Sequence, residues 1–207
     1  MPIHHLLYRC PLCNSETSKS ESDRTSCAGC AAIFSRSTKS QIFVQPKDSA
    51  PYLMSASALM SRIEESRTEE DGPMEVELET LRSEVIYGVV SDYLPIHCDG
   101  ELLGYTEVVD EQNSGVLVLG ETLDFVDPNT NGTLHSWDFG QLSSLVISST
   151  AIQINIRNEG LYQFKLIEDS PKCWEDSLRK AVSQFYLTQG LEVFTYQPVI
   201  KTRRMAI

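Results

Sequence analysis

A chain of 207 residues accommodates one medium domain, or a small module plus one domain. Apolar residues at 41% supply a real core, yet no stretch approaches the ~20 uninterrupted apolar residues that would span a bilayer. The formal charge of -12 argues against tight binding to nucleic acid or an anionic membrane, since both need a basic footprint. The charge is uneven: residues 98–190 carry fourteen acids against five bases, whereas the last seventeen residues carry three bases against one acid. The opening MPIHHLLYRCP has no basic stretch followed by a long apolar run, so no signal peptide is read and the expected compartment is the cytoplasm.

Taken in chain order, the first element is a pair of C-x-x-C motifs, Cys10–Cys13 and Cys27–Cys30, separated by thirteen residues. Two cysteines three apart on a tight turn can aim both sulfurs at one cation, and two such turns supply a tetrahedron with Zn–S bonds of ~2.3 Å. Pro11 suits the second position of the first turn because its φ is already fixed. Asn14, just after the first pair, tolerates positive φ, and Ala31, after the second, is less suited to it. The expected ligands are Cys10, Cys13, Cys27 and Cys30, the expected cofactor is one structural zinc ion, and four thiolates leave no open position for catalysis. Residues 6–9 and 31–34 are expected to pair as short strands below the metal. Two disulfides would need an oxidising compartment. A redox pair would need a strand-to-helix setting that the flanks lack. Iron uses the same knuckles in a larger aromatic-rich core; with only Tyr8 and Phe34 here it is the less favoured metal. His4 and His5 are read as surface residues beside an already closed shell. This part, residues 6–34, resembles the rubredoxin-like zinc-ribbon family.

Residues 1–45 are accordingly read as the ribbon, and 46–75 as a linker carrying a helix. Ile42-Phe43-Val44 is one extended piece of the connector. A helix is predicted over residues 55–66: Ser55 is its N-cap, and Ala56, Leu59, Met60 and Ile63 fall at i, i+3, i+4 and i+7. Gly72 and Pro73 end it.

From Val76 the period changes to 2. Val76, Leu78 and Thr80 alternate with glutamates, and Val85, Tyr87 and Val89 continue in the opposite phase, so a break is expected near 81–84. Further strands are predicted at 102–109, 116–119, 122–126, 133–139, 144–148, 151–157 and 161–167. Turns are placed at Asn113–Gly115, Asn129–Gly132 and Asn158–Gly160. A strong helix follows over 171–189, with Pro171 in its first turn and Trp174, Leu178, Ala181, Val182 and Phe185 as its apolar stripe; Gly190 ends it. The expected fold is mainly β with a C-terminal helix: two near-orthogonal sheets forming a partly open barrel over 76–190, capped by that helix. Residues 191–207 are read as a tail.

The strand order, the stretches GELLGYTEV, GVLVLGETLDFVD and WDFGQLSSLVIS, and a closing helix that opens with Trp174 resemble the pleckstrin-homology/GRAM superfamily over about residues 98–190. That resemblance implies a tryptophan packed into the barrel, a role Trp174 matches. Lipid-headgroup binding does not carry over: it needs several Lys/Arg on the loop after the first strand, and residues 107–115 (EVVDEQNSG) hold three acids and no base. The order ribbon, helix and PH-like domain also resembles the non-catalytic N-terminal region of bacterial 1-acylglycerol-3-phosphate acyltransferase-like proteins. This implies a regulatory leader with weak membrane contact. Their catalytic H-x-x-x-x-D is absent, since neither His97 nor His135 has an aspartate five positions on.

No other motif suggests catalysis. There is no phosphate loop, no G-x-S-x-G and no H-E-x-x-H. His97 and Cys98 are adjacent on a strand and point to opposite faces, so they cannot act as base and nucleophile. His135 and Trp137 are read as structural, and Cys173 as an inert thiol at the start of a helix. Lys19, Arg24, Arg36 and Lys39 are the candidates for a nucleic-acid contact, with a solvated face as the simpler reading. The expected function is that of a non-enzymatic zinc-binding adaptor with a protein partner. Lipid headgroups, membranes and nucleic acid are the disfavoured partners.

Overall fold

In the computed structural model, residues 3–18, 23–70, 80–110, 112–148, 150–196 and 199–205 are described. The chain divides into two compact units, residues 1–77 and 78–207.

The first unit is a four-stranded antiparallel meander: β1 (Arg24–Ser26), β2 (Ile33–Arg36), β3 (Gln41–Gln45) and β4 (Tyr52–Ser55). It is followed by α1 (Ala56–Glu70). The Ser55 hydroxyl accepts the Ala58 N–H at 3.1 Å, the N-cap predicted from sequence. Leu59 and Ile63, from the predicted stripe, are buried, and they share one core with Ile3, Leu7, Phe34, Ile42, Val44 and the knuckle cysteines Cys10 and Cys27. The stretch read as a connector thus supplies two strands of a sheet. Ile42 and Val44 point inward because a strand buries alternate residues. Residues 6–9 do not pair with 31–34. Ile33–Ser35 pair with Arg24–Ser26, and Arg9 bridges Glu16 on its own returning chain. The chain reverses at the first knuckle, so the nearest backbone to Arg9 is local.

The second unit is mainly β with a C-terminal helix. Its strands are β5 (Leu81–Cys98), β6 (Glu101–Val109), β7 (Asn113–Leu119), β8 (Leu123–Val126), β9 (Thr133–Trp137), β10 (Leu142–Ile147), β11 (Ala151–Ile156) and β12 (Gly160–Leu166). All pairings are antiparallel, in the order β10-β11-β12-β5-β7-β8-β9, so β9 and β10 are edges and the sheet does not close. The alternation expected at Val76 and Leu78 lies outside the described residues. β5 runs eighteen residues and changes partner along its length. Residues 81–87 pair with β7 and 85–89 with β12, after which residues 90–98 pair with β6. The β5–β6 connection is the two-residue turn Asp99-Gly100, both at positive φ (51° and 84°), as a type I′ hairpin requires. The turn expected at 113–115 is instead the start of β7. Gly115 is there for close approach, since a Cβ on it would overlap the Phe125 ring. The turns at 129–132 and 158–160 form as predicted, with Asn131 and Asn158 at positive φ.

Helix α2 (Pro171–Leu187) is capped by Ser170, whose hydroxyl accepts the Cys173 N–H. Trp174, Leu178, Ala181 and Val182 are buried against Leu117, Phe125, Leu145, Ile152, Ile154 and Phe164. The Trp174 Nε1–H donates to Ser83 Oγ on β5 at 2.7 Å, so the helix is pinned by a polar contact inside an apolar interface. Residues 191–207, read as a tail, contain an ordered hairpin, β13 (Leu191–Thr195) and β14 (Lys201–Arg204). Ile200 is buried, its N–H donates to Ser143 O at 2.8 Å, and the Tyr196 hydroxyl donates to the Arg179 carbonyl on α2 at 2.8 Å.

Candidate metal centre

The two C-x-x-C segments fold into matching turns. In each, the first cysteine's carbonyl accepts the N–H four residues on: Asn14 to Cys10 at 2.8 Å, and Ala31 to Cys27 at 3.1 Å. Its N–H in turn donates to the carbonyl five residues on, from Cys10 to Ser15 at 2.8 Å and from Cys27 to Ala32 at 2.9 Å. Closing such a turn forces the residue after the second cysteine into the left-handed region. Asn14 sits at φ 59° and Ala31 at φ 55°. Asparagine is at ease there; alanine is strained by about 1 kcal/mol or more.

The four Sγ atoms lie within 4.8 Å of one another. Cys10 and Cys30 are 3.6 Å apart, and Cys13 and Cys27 are 3.4 Å apart. A tetrahedron with bonds of ~2.3 Å has an edge of about 3.8 Å, so the cluster has the dimensions of a four-sulfur metal site. Backbone N–H groups point at the sulfurs: Gly29 and Cys30 donate to Cys27 Sγ at 3.3 Å, and Leu12 donates to Cys10 Sγ at 3.5 Å. Such donors favour the thiolate, the form that ligates.

Burial pulls the other way. Cys10 and Cys27 are buried, Cys30 is half-buried and Cys13 is exposed. Desolvation pushes the Cys10 thiol far up, and it raises Cys30 too. Cys13 is drawn down to about 6, chiefly by the Ser15 hydroxyl and then by the Ser15 N–H. The raised thiols of Cys10 and Cys30 must give up their protons to ligate a cation, the condition under which metal binding releases protons.

One residue that holds the two turns together carries no obvious sequence signal. A Cβ on Gly29 would overlap Ser15 Oγ and lie 2.8 Å from Ser15 Cβ. The second knuckle therefore approaches the first closely because position 29 has no side chain. The small-residue run CAGC was the available hint, but only the fold says which glycine neighbour it faces.

His4 and His5 are buried rather than on the surface, packed edge to face with ring centroids 4.5 Å apart. They do not belong to the sulfur cluster. A short helical turn, Ile3–His5, folds them in with Ile3 and Leu7, which accounts for their burial. Of the basic residues considered for nucleic acid, Lys19 lies outside the described residues, Arg36 pairs with Asp23 at 3.0 Å, and Arg24 and Lys39 are exposed. His97 and Cys98 are exposed neighbours on β5. His135 stacks on Trp137 with centroids 5.3 Å apart and lies 3.4 Å from the Tyr87 hydroxyl, within an aromatic cluster with Phe125, Tyr162 and Phe164. The Trp137 Nε1–H donates to Glu159 at 2.9 Å, and the Tyr162 hydroxyl does so at 3.0 Å. Burial, then Glu159, pushes that hydroxyl up to about 12, so it remains a donor at neutral pH.

Among the described residues, no second group of histidines, cysteines and carboxylates converges as a metal site. Among the described residues, no helix is long and apolar enough to cross a membrane. No protein-family model, curated protein or solved structure matches the chain.

Proposed function

We propose that this protein is a non-enzymatic interaction protein. A structural zinc ion held by Cys10, Cys13, Cys27 and Cys30 orders its first unit, and a PH-like second unit docks protein. The observation that carries the reading is the convergence of four sulfurs from two matching knuckles, with N–H groups aimed at them. Four thiolates fill a tetrahedral shell, which suits zinc in a structural role and leaves no position for a reacting water. The PH-like reading is supported by two meanders, β5-β7-β8-β9 and β10-β11-β12, followed by an amphipathic helix with a buried tryptophan near its start. Protein is favoured over lipid headgroup because the segment joining β5 to β7 carries acids and no Lys or Arg.

Elemental analysis of the reduced, purified chain tests the reading, with one zinc per chain expected and loss of that zinc in Cys27→Ser. Only traces of metal would overturn it. Vesicles containing phosphoinositide, presented at low salt, should leave the protein in solution. Flotation with the vesicles would replace protein docking by a membrane-associated role, that of a lipid-enzyme leader.

A further inference from the structure

The second unit carries two exposed hairpins of opposite charge. Beyond Val90, β5 leaves the sheet and pairs only with β6 among the described residues, so residues 90–109 stand as a two-stranded ribbon. Tyr93, Leu94, Ile96, Leu102, Leu103 and Tyr105 on this ribbon are each 45% to 67% exposed. Paired residues share a face: Pro95 sits opposite Tyr105, and Ile96 opposite Gly104, so apolar side chains project from both faces. An isolated two-stranded hairpin is marginal in water, and large apolar patches at a surface mark interaction sites. Residues 91–110 contain five acids, Asp92, Asp99, Glu101, Glu107 and Asp110, and no Lys or Arg.

The β13–β14 hairpin has the complementary character. Phe194, Val199 and Met205 are 56%, 48% and 42% exposed, and Lys201, Arg203 and Arg204 are exposed on β14. Its single acid, Glu192, is paired with Arg203. Residues 191–207 carry three bases against this one acid in a chain of net charge -12.

We propose that the acidic β5–β6 hairpin of one copy docks on the basic β13–β14 hairpin of a second copy, and reciprocally, forming a two-fold dimer. Charge sign selects this pairing. Acidic hairpin against acidic hairpin would oppose like charges, and an anionic lipid surface would be repelled by the ribbon. The exposed apolar side chains of the acidic ribbon amount to on the order of 600 Å², taking 150–250 Å² for a large side chain. Only one face of the ribbon meets one partner, so with the basic hairpin counted a copy buries less than the ~800 Å² per partner typical of stable complexes, as suits a weak, salt-sensitive dimer. A reciprocal arrangement satisfies both hairpins of each copy at once and closes the assembly. The inference names a partner for the docking unit proposed above. Its failure would leave the zinc assignment untouched, since that is read by metal content.

Sedimentation velocity of the full chain over a concentration series tests it. The expected result is a monomer–dimer equilibrium that weakens about tenfold or more between 0.05 M and 0.5 M NaCl, because the charges that steer it are exposed and screened. Leu103→Asn with Tyr105→Ser should shift the chain to monomer. So should Lys201→Glu with Arg204→Glu, and Glu101→Lys with Asp110→Lys, each with an unchanged circular dichroism spectrum. An equimolar mixture of the last two double variants should form a heterodimer, because one contact then pairs the two reversed hairpins and the other pairs the two unaltered ones, both with opposite charges. A monomer at every soluble concentration would overturn the proposal. So would a dimer that tightens with salt, or one that survives Lys201→Glu with Arg204→Glu.

Discussion

Gly29→Ala probes the metal centre without touching a ligand. The added Cβ would lie 2.8 Å from Ser15 Cβ and 3.4 Å from Cys13 Sγ, besides overlapping Ser15 Oγ. Rotation of Ser15 moves its hydroxyl away but leaves its Cβ in place. Carbon atoms rest at about 3.5–4.0 Å, so the two knuckle backbones must part by several tenths of an ångström or more. Separation of that kind stretches sulfur pairs that now lie 3.4 and 3.6 Å apart and costs about 1–3 kcal/mol of overpacking. Charged against the metal-bound state, that lowers zinc affinity by roughly 10- to 100-fold. Competition with a chromophoric chelator measures it directly. Ser15→Gly provides the internal control: it removes the opposing Cβ, so the double variant should recover most of the loss. The recovery is incomplete because the Ser15 hydroxyl also holds the Cys13 thiol down near 6. Unchanged affinity in Gly29→Ala would refute the reasoning, as would losses from the two substitutions that simply add.

Ala31→Gly should stabilise the first unit by about 0.5–1 kcal/mol in urea titrations, because alanine at φ 55° is strained and glycine is not. Lys172 faces Glu175 at 3.0 Å and Asp176 at 3.1 Å, both acids nearly buried. Burial alone would lower its ammonium, but Asp176 and then Glu175 outweigh that and hold it above the ordinary 10.5. A raised folded value means the stabilisation is complete below pH 10.5 and fades as pH climbs through the folded value. Lys172→Met should therefore cost about 3 kcal/mol near neutral pH, with the difference from wild type shrinking in alkaline denaturation curves. Trp174→Phe keeps most of the buried area but removes the donor to Ser83 Oγ, so the second unit should lose about 1–3 kcal/mol by thermal or urea unfolding followed in the near-ultraviolet.

Local signals in the sequence were sufficient for the elements whose determinants are local. The clustering of four cysteines follows from their spacing, Ser55 and Pro171 announce two helices, and Ile152, Ile154 and Ile156 announce a strand by alternation. What escaped was set by distant residues. Gly115 reads as a turn glycine beside Asn113 and Ser114, yet its role is to let Phe125 of the neighbouring strand close in. β3 and β4 sit in polar surroundings and hold together because Ile42 and Val44 find Phe34, Leu59 and Ile63. The tail is ordered by Ile200 and Tyr196 meeting β10 and α2, contacts no window of sequence contains. The β5–β6 hairpin is different, since Asp99-Gly100 is a strong two-residue turn signal. It was obscured because the residues on either side do not alternate between apolar and polar, as they would if one face packed on a core.

The two units are built on unequal foundations. Among the described residues, the second gathers twenty-one buried residues into its cluster, including both tryptophans, while the first gathers ten, two of which are the knuckle cysteines Cys10 and Cys27. The knuckles are therefore continuous with the first unit's core rather than perched beyond it. A metal that fixes the sulfurs also fixes Leu7 and Phe34, and through them the inward face of α1. With no ion at the proposed site, Cys10 is a buried thiol, and the other buried apolar side chains described for this unit form a small core, which makes it the less stable of the two. On the proposed reading the ion stabilises α1 as well as the knuckles, and chelation is expected to unfold the first unit separately from the second, seen as two transitions in the full chain.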